Sequence, residues 1–74
     1  MKTKQARTLP VGILVSWGRF GHELTRGTVT KNNVLQDGLL GFCVLWNDRH
    51  YPEWVDHRRA KNIFVPGLRG TRTA

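Results

Sequence analysis

Cysteine and serine are almost absent from this chain of 74 residues, and that shortage limits the chemistry available to it. The single cysteine, Cys43, cannot form an internal disulfide, and without a CxxC partner it cannot supply a thiolate zinc cage. Ser16 is the only serine, so few pairings of a nucleophile with a histidine exist. The sequence therefore predicts neither an enzyme nor a cofactor, and the lone thiol indicates a reducing, cytoplasmic compartment.

Long hydrophobic runs are also missing. The longest, VGILV and LLGFCVLW, are far shorter than the roughly 20 residues of a membrane-spanning helix. The leading segment, MKTKQARTLP, contains no apolar stretch typical of a signal peptide. Because so short a chain buries only roughly 60% of its surface, a large catalytic cleft is not expected either. These absences predict a small soluble protein that is neither exported nor bound to a membrane.

Acidic residues are few, because the chain has 12 lysines and arginines against 5 acids, a formal net charge of +7. Such an excess attracts polyanions, among them nucleic acid. Part of the excess lies near the chain ends in segments without any acid, at Lys2, Lys4, Arg7, Arg69 and Arg72. The composition predicts flexible basic segments at residues 1–9 and 67–74, on either side of a nearly neutral folded domain at residues 10–66.

What the sequence does contain is a series of short segments with the alternating pattern of β-strands. In two of them, Trp17 and Trp46 fall in phase with the apolar side and are predicted to be core residues. The predicted strands are residues 11–17, 24–31, 39–46, 51–56 and 63–65, with a chain reversal at 32–38 and a helical turn at 57–62. Five short strands in this order predict a small closed barrel.

Three segments carry that layout. ILVSWGRFGHELTRGTV is a strand, a long loop and a Thr-Val strand; GFCVLWND is a buried central strand with an acidic turn; and WVDHRRAKNIFV is a strand, a single turn and a final strand. The layout resembles the SH3-like barrel, and it is similar to Tudor, KOW and photosystem-accessory barrels alike. The resemblance implies an all-β, five-stranded barrel with a short 3₁₀ turn before the last strand and flexible basic termini.

Metal binding and acid–base catalysis find little support in the spacing of titratable residues. Glu53 and Asp56 lie three residues apart in one predicted strand, so they point to opposite faces rather than acting as a pair. No HxxxH or CxxC spacing occurs among the six candidate ligands His22, Cys43, Asp48, His50, Asp56 and His57. The sequence predicts no metal site and no catalytic residue.

The segment HRRAK, residues 57–61, gathers three permanent cations and a histidine just before the last predicted strand. In a five-stranded barrel this turn and the long first loop can lie side by side on the rim. Arginines beside aromatic side chains bind phosphates and stack on bases. The sequence therefore predicts a small DNA- or RNA-binding protein whose binding residues are Arg19, Phe20, Arg26, Trp54, Arg58, Arg59 and Lys61.

A protein partner is the alternative. The domain would then be an interaction adapter, or an accessory subunit of a larger complex, and an aromatic cage would receive a proline-rich or methylated cationic peptide. The cage would use Trp17, Phe20, Tyr51 and Trp54, with Glu23, Asp48, Glu53 and Asp56 selecting a cation. The two hypotheses differ in electrostatics, since a cage for cations needs acids beside the aromatics and a nucleic-acid site needs arginines there.

Overall fold

The computed structural model describes residues 1–19 and 22–66. In chain order, the elements are α1 (Thr3–Arg7), β1 (Leu14–Arg19), β2 (His22–Gln36), β3 (Leu39–Trp46), β4 (Glu53–Asp56), a 3₁₀ turn (His57–Arg59) and β5 (Ile63–Phe64). The strands form one antiparallel sheet in the order β4-β3-β2-β1-β5. A mostly β fold with a 3₁₀ turn before the last strand is confirmed. Within the described residues β4 and β5 do not pair, so the sheet is not closed as a barrel.

β2 is longer than the sequence predicted, because it continues through residues that were expected to form a turn. Asn33 has a φ of 58°, a left-handed conformation that asparagine tolerates, and the register with β3 shifts between Asn32 and Val34. The asparagines therefore form a β-bulge instead of a reversal. The reversal itself is confined to Asp37 and Gly38, whose φ values of 53° and 78° suit a tight two-residue hairpin.

The core lies on one face of the sheet, where Val15, Val29, Phe42 and Val44 are fully buried. Trp46 belongs to this core, as predicted, and is 5% exposed. Its ring crosses β2 at Gly27, where an added Cβ would lie 2.8 Å from Trp46 Cε3 and 2.6 Å from Val44 Cγ1. A side chain at this position would displace the tryptophan, so glycine is needed for the close approach of the two strands.

The N-terminal segment, predicted to be an arm without regular structure, contains α1 and contributes to the core. Ala6 is fully buried, and Leu9 is 6% exposed. The Asn32 side chain amide donates to the carbonyl oxygens of Ala6 at 3.0 Å and Leu9 at 2.8 Å. The sequence did not predict this element, because it is polar and aperiodic and the element is held in place by two apolar side chains and one distant asparagine.

The described part of the chain holds no helix of the length and hydrophobicity needed to span a membrane. The predicted C-terminal segment, residues 67–74, lies outside the described residues.

Candidate functional site

A positively charged cleft lies between α1 and the 3₁₀ turn. We call it the basic cleft; the described residues that line it are Met1, Lys2, Thr3, Gln5, Arg58 and Lys61. The Met1 amino group donates to the carbonyl oxygens of Ala60, at 2.8 Å, and Lys61, at 3.2 Å, so the two walls are joined through the backbone. No carboxylate is among these lining residues.

One carboxylate beneath the cleft organises it. Asp56 caps the 3₁₀ turn, accepting a hydrogen bond from the backbone N–H of Arg58 at 2.9 Å, and its Oδ2 lies 2.9 Å from Arg58 Nη2. The side-chain hydrogen bond from Arg58, followed by the backbone one, lowers the pKa of Asp56 to about 2 and raises the pKa of Arg58. The Asp56 side chain is 5% exposed and that of Arg58 is 60% exposed. The pair therefore presents its positive partner to the surface.

His57, in the 3₁₀ turn, links that turn to α1 through Asn32. Its ring is 2% exposed and stacks on Phe42, with ring centroids 5.8 Å apart. The Nε2 atom lies 2.8 Å from Oδ1 of Asn32, and because the Asn32 amide nitrogen already donates to α1, His57 Nε2 must be the donor. Nδ1 is buried without a partner among the described residues. Burial, with a smaller contribution from Arg7, lowers the pKa of His57, so the neutral imidazole is a structural link.

The predicted nucleic-acid-binding residues separate into several places. Arg58 and Lys61 line the basic cleft, whereas Arg59 lines a neighbouring groove together with Trp54. Arg26 lies in a third groove, beside Asn47 and Arg49 at the far end of β3. The side chain of Arg19 and the whole of Phe20 lie outside the described residues.

The sequence predicted a long first loop beside the turn before β5, but β1 continues to Arg19 and β2 already begins at His22, so most of that segment is strand. The end of β1 is what contacts the turn before β5. The backbone N–H of Gly18 donates to the carbonyl oxygen of Asn62 at 2.8 Å. Gly18 immediately precedes Arg19, and Asn62 immediately follows Lys61. The backbone near the end of β1 is therefore next to the end of the basic cleft.

Trp54, predicted to stack on bases, is half-buried and firmly packed. Its indole Nε1–H donates to the carbonyl oxygen of Val34 at 3.0 Å. Its ring covers Gly41, where an added Cβ would lie 2.5 Å from Trp54 Cε2. One face of the indole is thus committed to the sheet, and the groove it shares with Arg59 is where the rest of the ring is accessible.

A second concavity contains three residues of the cage that the alternative hypothesis described, Trp17, Asp48 and Glu53. We call it the tryptophan pocket; it has a volume of ≈ 260 Å³ and is lined by Trp17, Thr25, Trp46, Asp48, Arg49 and Glu53. Trp17 is 41% exposed, so its prediction as a core residue is wrong. It follows the inward phase of β1, but it stands beside a register shift between Trp17 and Gly18, where the regular pairing of β1 with β2 is interrupted.

The electrostatics of the tryptophan pocket differ from those of the basic cleft. Trp46 Nε1 donates to Glu53 Oε1 at 2.7 Å, and Asp48 Oδ1 lies 3.9 Å from Arg49 Nε. Both Asp48 and Arg49 are more than half exposed. The alternative hypothesis from the sequence requires acids beside aromatic side chains in a cation site. It did not include Trp46, which was predicted to be a core residue. Tyr51, which it included, is exposed and is not among the described lining residues.

Within the described part of the chain, no three His, Cys, Asp or Glu side chains are close enough to hold a metal ion. No family model, curated protein or solved structure matches this chain.

Proposed function

We propose that the protein binds nucleic acid, DNA or RNA, through the basic cleft on a domain of SH3-like layout. The strand order β4-β3-β2-β1-β5 and the 3₁₀ turn between β4 and β5 support that layout. The likeness lies in the strand order and the turn and not in closure, because β4 and β5 do not pair within the described residues. The net charge of +7 provides the long-range attraction to a polyanion.

The observation that carries the proposal is the charge of the cleft. Lys2, Arg58 and Lys61 line it, while the nearest carboxylate, Asp56, is buried and bound to the guanidinium. A guanidinium held in place by a buried carboxylate loses less conformational entropy when a phosphate binds. Thr3 and Gln5 add uncharged hydrogen-bonding groups of the kind that position a phosphate backbone.

The neighbouring groove supplies the aromatic component. Arg59 and Trp54 line it together, and they lie on the same stretch of chain as Arg58. A strand whose phosphates occupy the basic cleft would bring a base to this groove, where the accessible part of the indole offers a stacking surface. Stacking of this kind tolerates every base, so we expect weak sequence preference and binding dominated by phosphates.

The test is a fluorescence anisotropy titration of labelled mixed-sequence single strands, one DNA and one RNA, with the full chain. With about three phosphate contacts the affinity should fall roughly 20-fold between about 50 mM and about 200 mM salt, because counterion release gives a slope of about −0.7 per contact.

A matched pair of variants locates the site. Lys61→Gln and Lys31→Gln each remove one charge from an exposed lysine, but only Lys61 lines the basic cleft. Lys61→Gln should weaken binding and reduce the salt slope by about 0.7, whereas Lys31→Gln should leave the slope unchanged. Absence of association at low salt, or equal effects of the two variants, would rule out the cleft as the binding site.

A further inference from the structure

We propose that the tryptophan pocket is a second binding site, which receives the cationic side chain of a lysine or arginine from a partner polypeptide. The inference does not rest on nucleic-acid binding, because the pocket and the basic cleft share no described lining residue. The two concavities lie toward opposite ends of β4: Glu53 is its first residue, and Arg58 lies in the 3₁₀ turn that follows its last.

The pocket is built around two indoles with different roles. Trp46 is fixed, since it is 5% exposed, packs over Gly27 and donates its indole N–H to Glu53. Trp17, at 41% exposure, leaves part of its ring open to a ligand. Trp46 forms a fixed floor, and Trp17 provides the accessible aromatic surface. An organic cation can be held on this surface by cation–π attraction.

Charge selects the ligand. The described lining contains two carboxylates, Asp48 and Glu53, against one guanidinium, Arg49, so it carries net negative charge on a protein whose total is +7. The hydrogen bond from Trp46 orients the Glu53 carboxylate without neutralising it. A phosphate would be repelled here, whereas an ammonium or guanidinium group would find two carboxylates beside an aromatic face.

Arg49 is the group that such a ligand would displace. It lies 3.9 Å from Asp48, a loose contact between two largely exposed side chains, and exposed pairs of this kind contribute little to stability. In the absence of a ligand, Arg49 therefore screens Asp48 without closing the pocket. Arg49 and the incoming cation compete for the same carboxylate, which makes Arg49 a determinant of affinity.

The surroundings favour a polypeptide over a small free cation. The volume of ≈ 260 Å³ falls just below the range of drug-sized ligand sites, so it suits one side chain. Beyond Trp46 and Arg49 the pocket continues into the groove that contains Leu14 and Leu45, which are 42% and 37% exposed. These leucines are neighbours through Thr28, which pairs with both. They provide an apolar surface for the residues that flank the cation.

The test uses the indole N–H signals of the full, ¹⁵N-labelled chain in NMR titrations. The probes are three blocked pentapeptides that differ only in the central residue, which has leucines beside it. That residue is lysine, arginine or citrulline, the uncharged analogue of arginine. The arginine and lysine peptides should shift the signals of Trp17 and Trp46 and leave that of Trp54, bound to Val34, in place. The citrulline peptide should bind at least about fivefold more weakly.

Two variants make the result specific. Arg49→Gln should tighten binding of the arginine peptide about threefold to fivefold, since a competing charge is gone, and Trp17→Ala should weaken it about fivefold. Arg49 is exposed, so its variant tests the site even if Trp17→Ala fails to fold. Equal binding of the citrulline peptide, a shift of Trp54 as large as that of Trp17, or weaker binding by Arg49→Gln would overturn the proposal. Loss of nucleic-acid binding would leave these results unchanged, so the two proposals fail separately.

Discussion

The basic cleft and the tryptophan pocket each contain an acid beside an arginine, yet they present opposite charge. In the cleft, Asp56 is buried and bound to Arg58 at 2.9 Å, so the guanidinium faces outward. In the pocket, Asp48 and Arg49 are both exposed and lie 3.9 Å apart, and a second acid, Glu53, is fixed by an indole. The comparison shows that burying the acid of an ion pair leaves a positive surface, whereas an exposed pair beside a second acid leaves a negative one.

Separating β3 from β4, beneath the basic cleft, should cause the largest loss of stability. A Cβ at Gly41 would collide with the carbonyl oxygen of Val55 and lie 2.5 Å from Trp54 Cε2, so Gly41→Ala should force β3 and β4 apart. We expect the free energy of unfolding to fall by about 3 kcal/mol in urea denaturation. Gly38→Ala is the control, because at Gly38 nothing lies within 4 Å and only the strain of φ +78° is added, about 1 kcal/mol. Equal losses would show that strand packing at Gly41 is not tight.

Removing the link between α1 and the sheet should disrupt the basic cleft and leave the tryptophan pocket intact. Asn32→Ala deletes the hydrogen bonds from the amide to the carbonyl oxygens of Ala6, Arg7 and Leu9, and it leaves His57 Nε2 without its acceptor. A loss of about 2 kcal/mol in the free energy of unfolding is expected. In hydrogen exchange, amides of α1 should exchange faster, while the Trp17 indole signal stays in place. A shift of that signal would show that the two sites are coupled.

Acid should destabilise the cleft in two steps. His57 has a pKa lowered below 6.5 by burial, so its contribution is present above pH 6.5 and is lost as pH falls through the folded pKa. Asp56 has a pKa lowered from 3.8 to about 2, so its contribution is present above 3.8 and is lost as pH falls toward about 2. Unfolding measured by denaturant at each pH should lose the first step in His57→Gln and the second in Asp56→Asn. A profile unchanged by both variants would contradict these assignments.

The variants with the smallest expected effect on stability distinguish the basic cleft from the tryptophan pocket most clearly. Arg49→Gln and Lys61→Gln each lower the net charge by one, but they alter different sites. Neither change should alter the free energy of unfolding by more than about 0.5 kcal/mol, since both side chains are exposed. In anisotropy titrations Lys61→Gln should weaken oligonucleotide binding more than Arg49→Gln does. The reverse order would move the nucleic-acid site to the tryptophan pocket.

The sequence predicted those parts of the fold that depend on local pattern. β3, at residues 39–46, was predicted with its observed bounds, because apolar residues on both faces mark a central strand. The 3₁₀ turn was expected within residues 57–62 and is found at His57–Arg59. α1 was not predicted, because its place depends on the side chain of Asn32, which is 23 residues from Leu9. Contacts at such separations leave no periodic signal.

The candidate site was predicted only in part, for the same reason. The grouping of Arg58 and Lys61 follows from their closeness in sequence, and the structure places both in the basic cleft. The tryptophan pocket joins residues of four strands and a turn, and it opens beside the register shift that follows Trp17 in β1. Alternation predicts which side a residue faces, but it does not predict where along a strand the core ends.

An NMR titration of the ¹⁵N-labelled chain with a single-stranded oligonucleotide tests the central claim most directly, because it reports on both concavities at once. We predict that the backbone amides of Lys2, Arg58 and Lys61 shift with increasing oligonucleotide and return when salt is added, while the indole signals of Trp17 and Trp46 stay in place. Shifts centred on the two indoles, or no shift at low salt, would contradict the assignment of the basic cleft to nucleic acid.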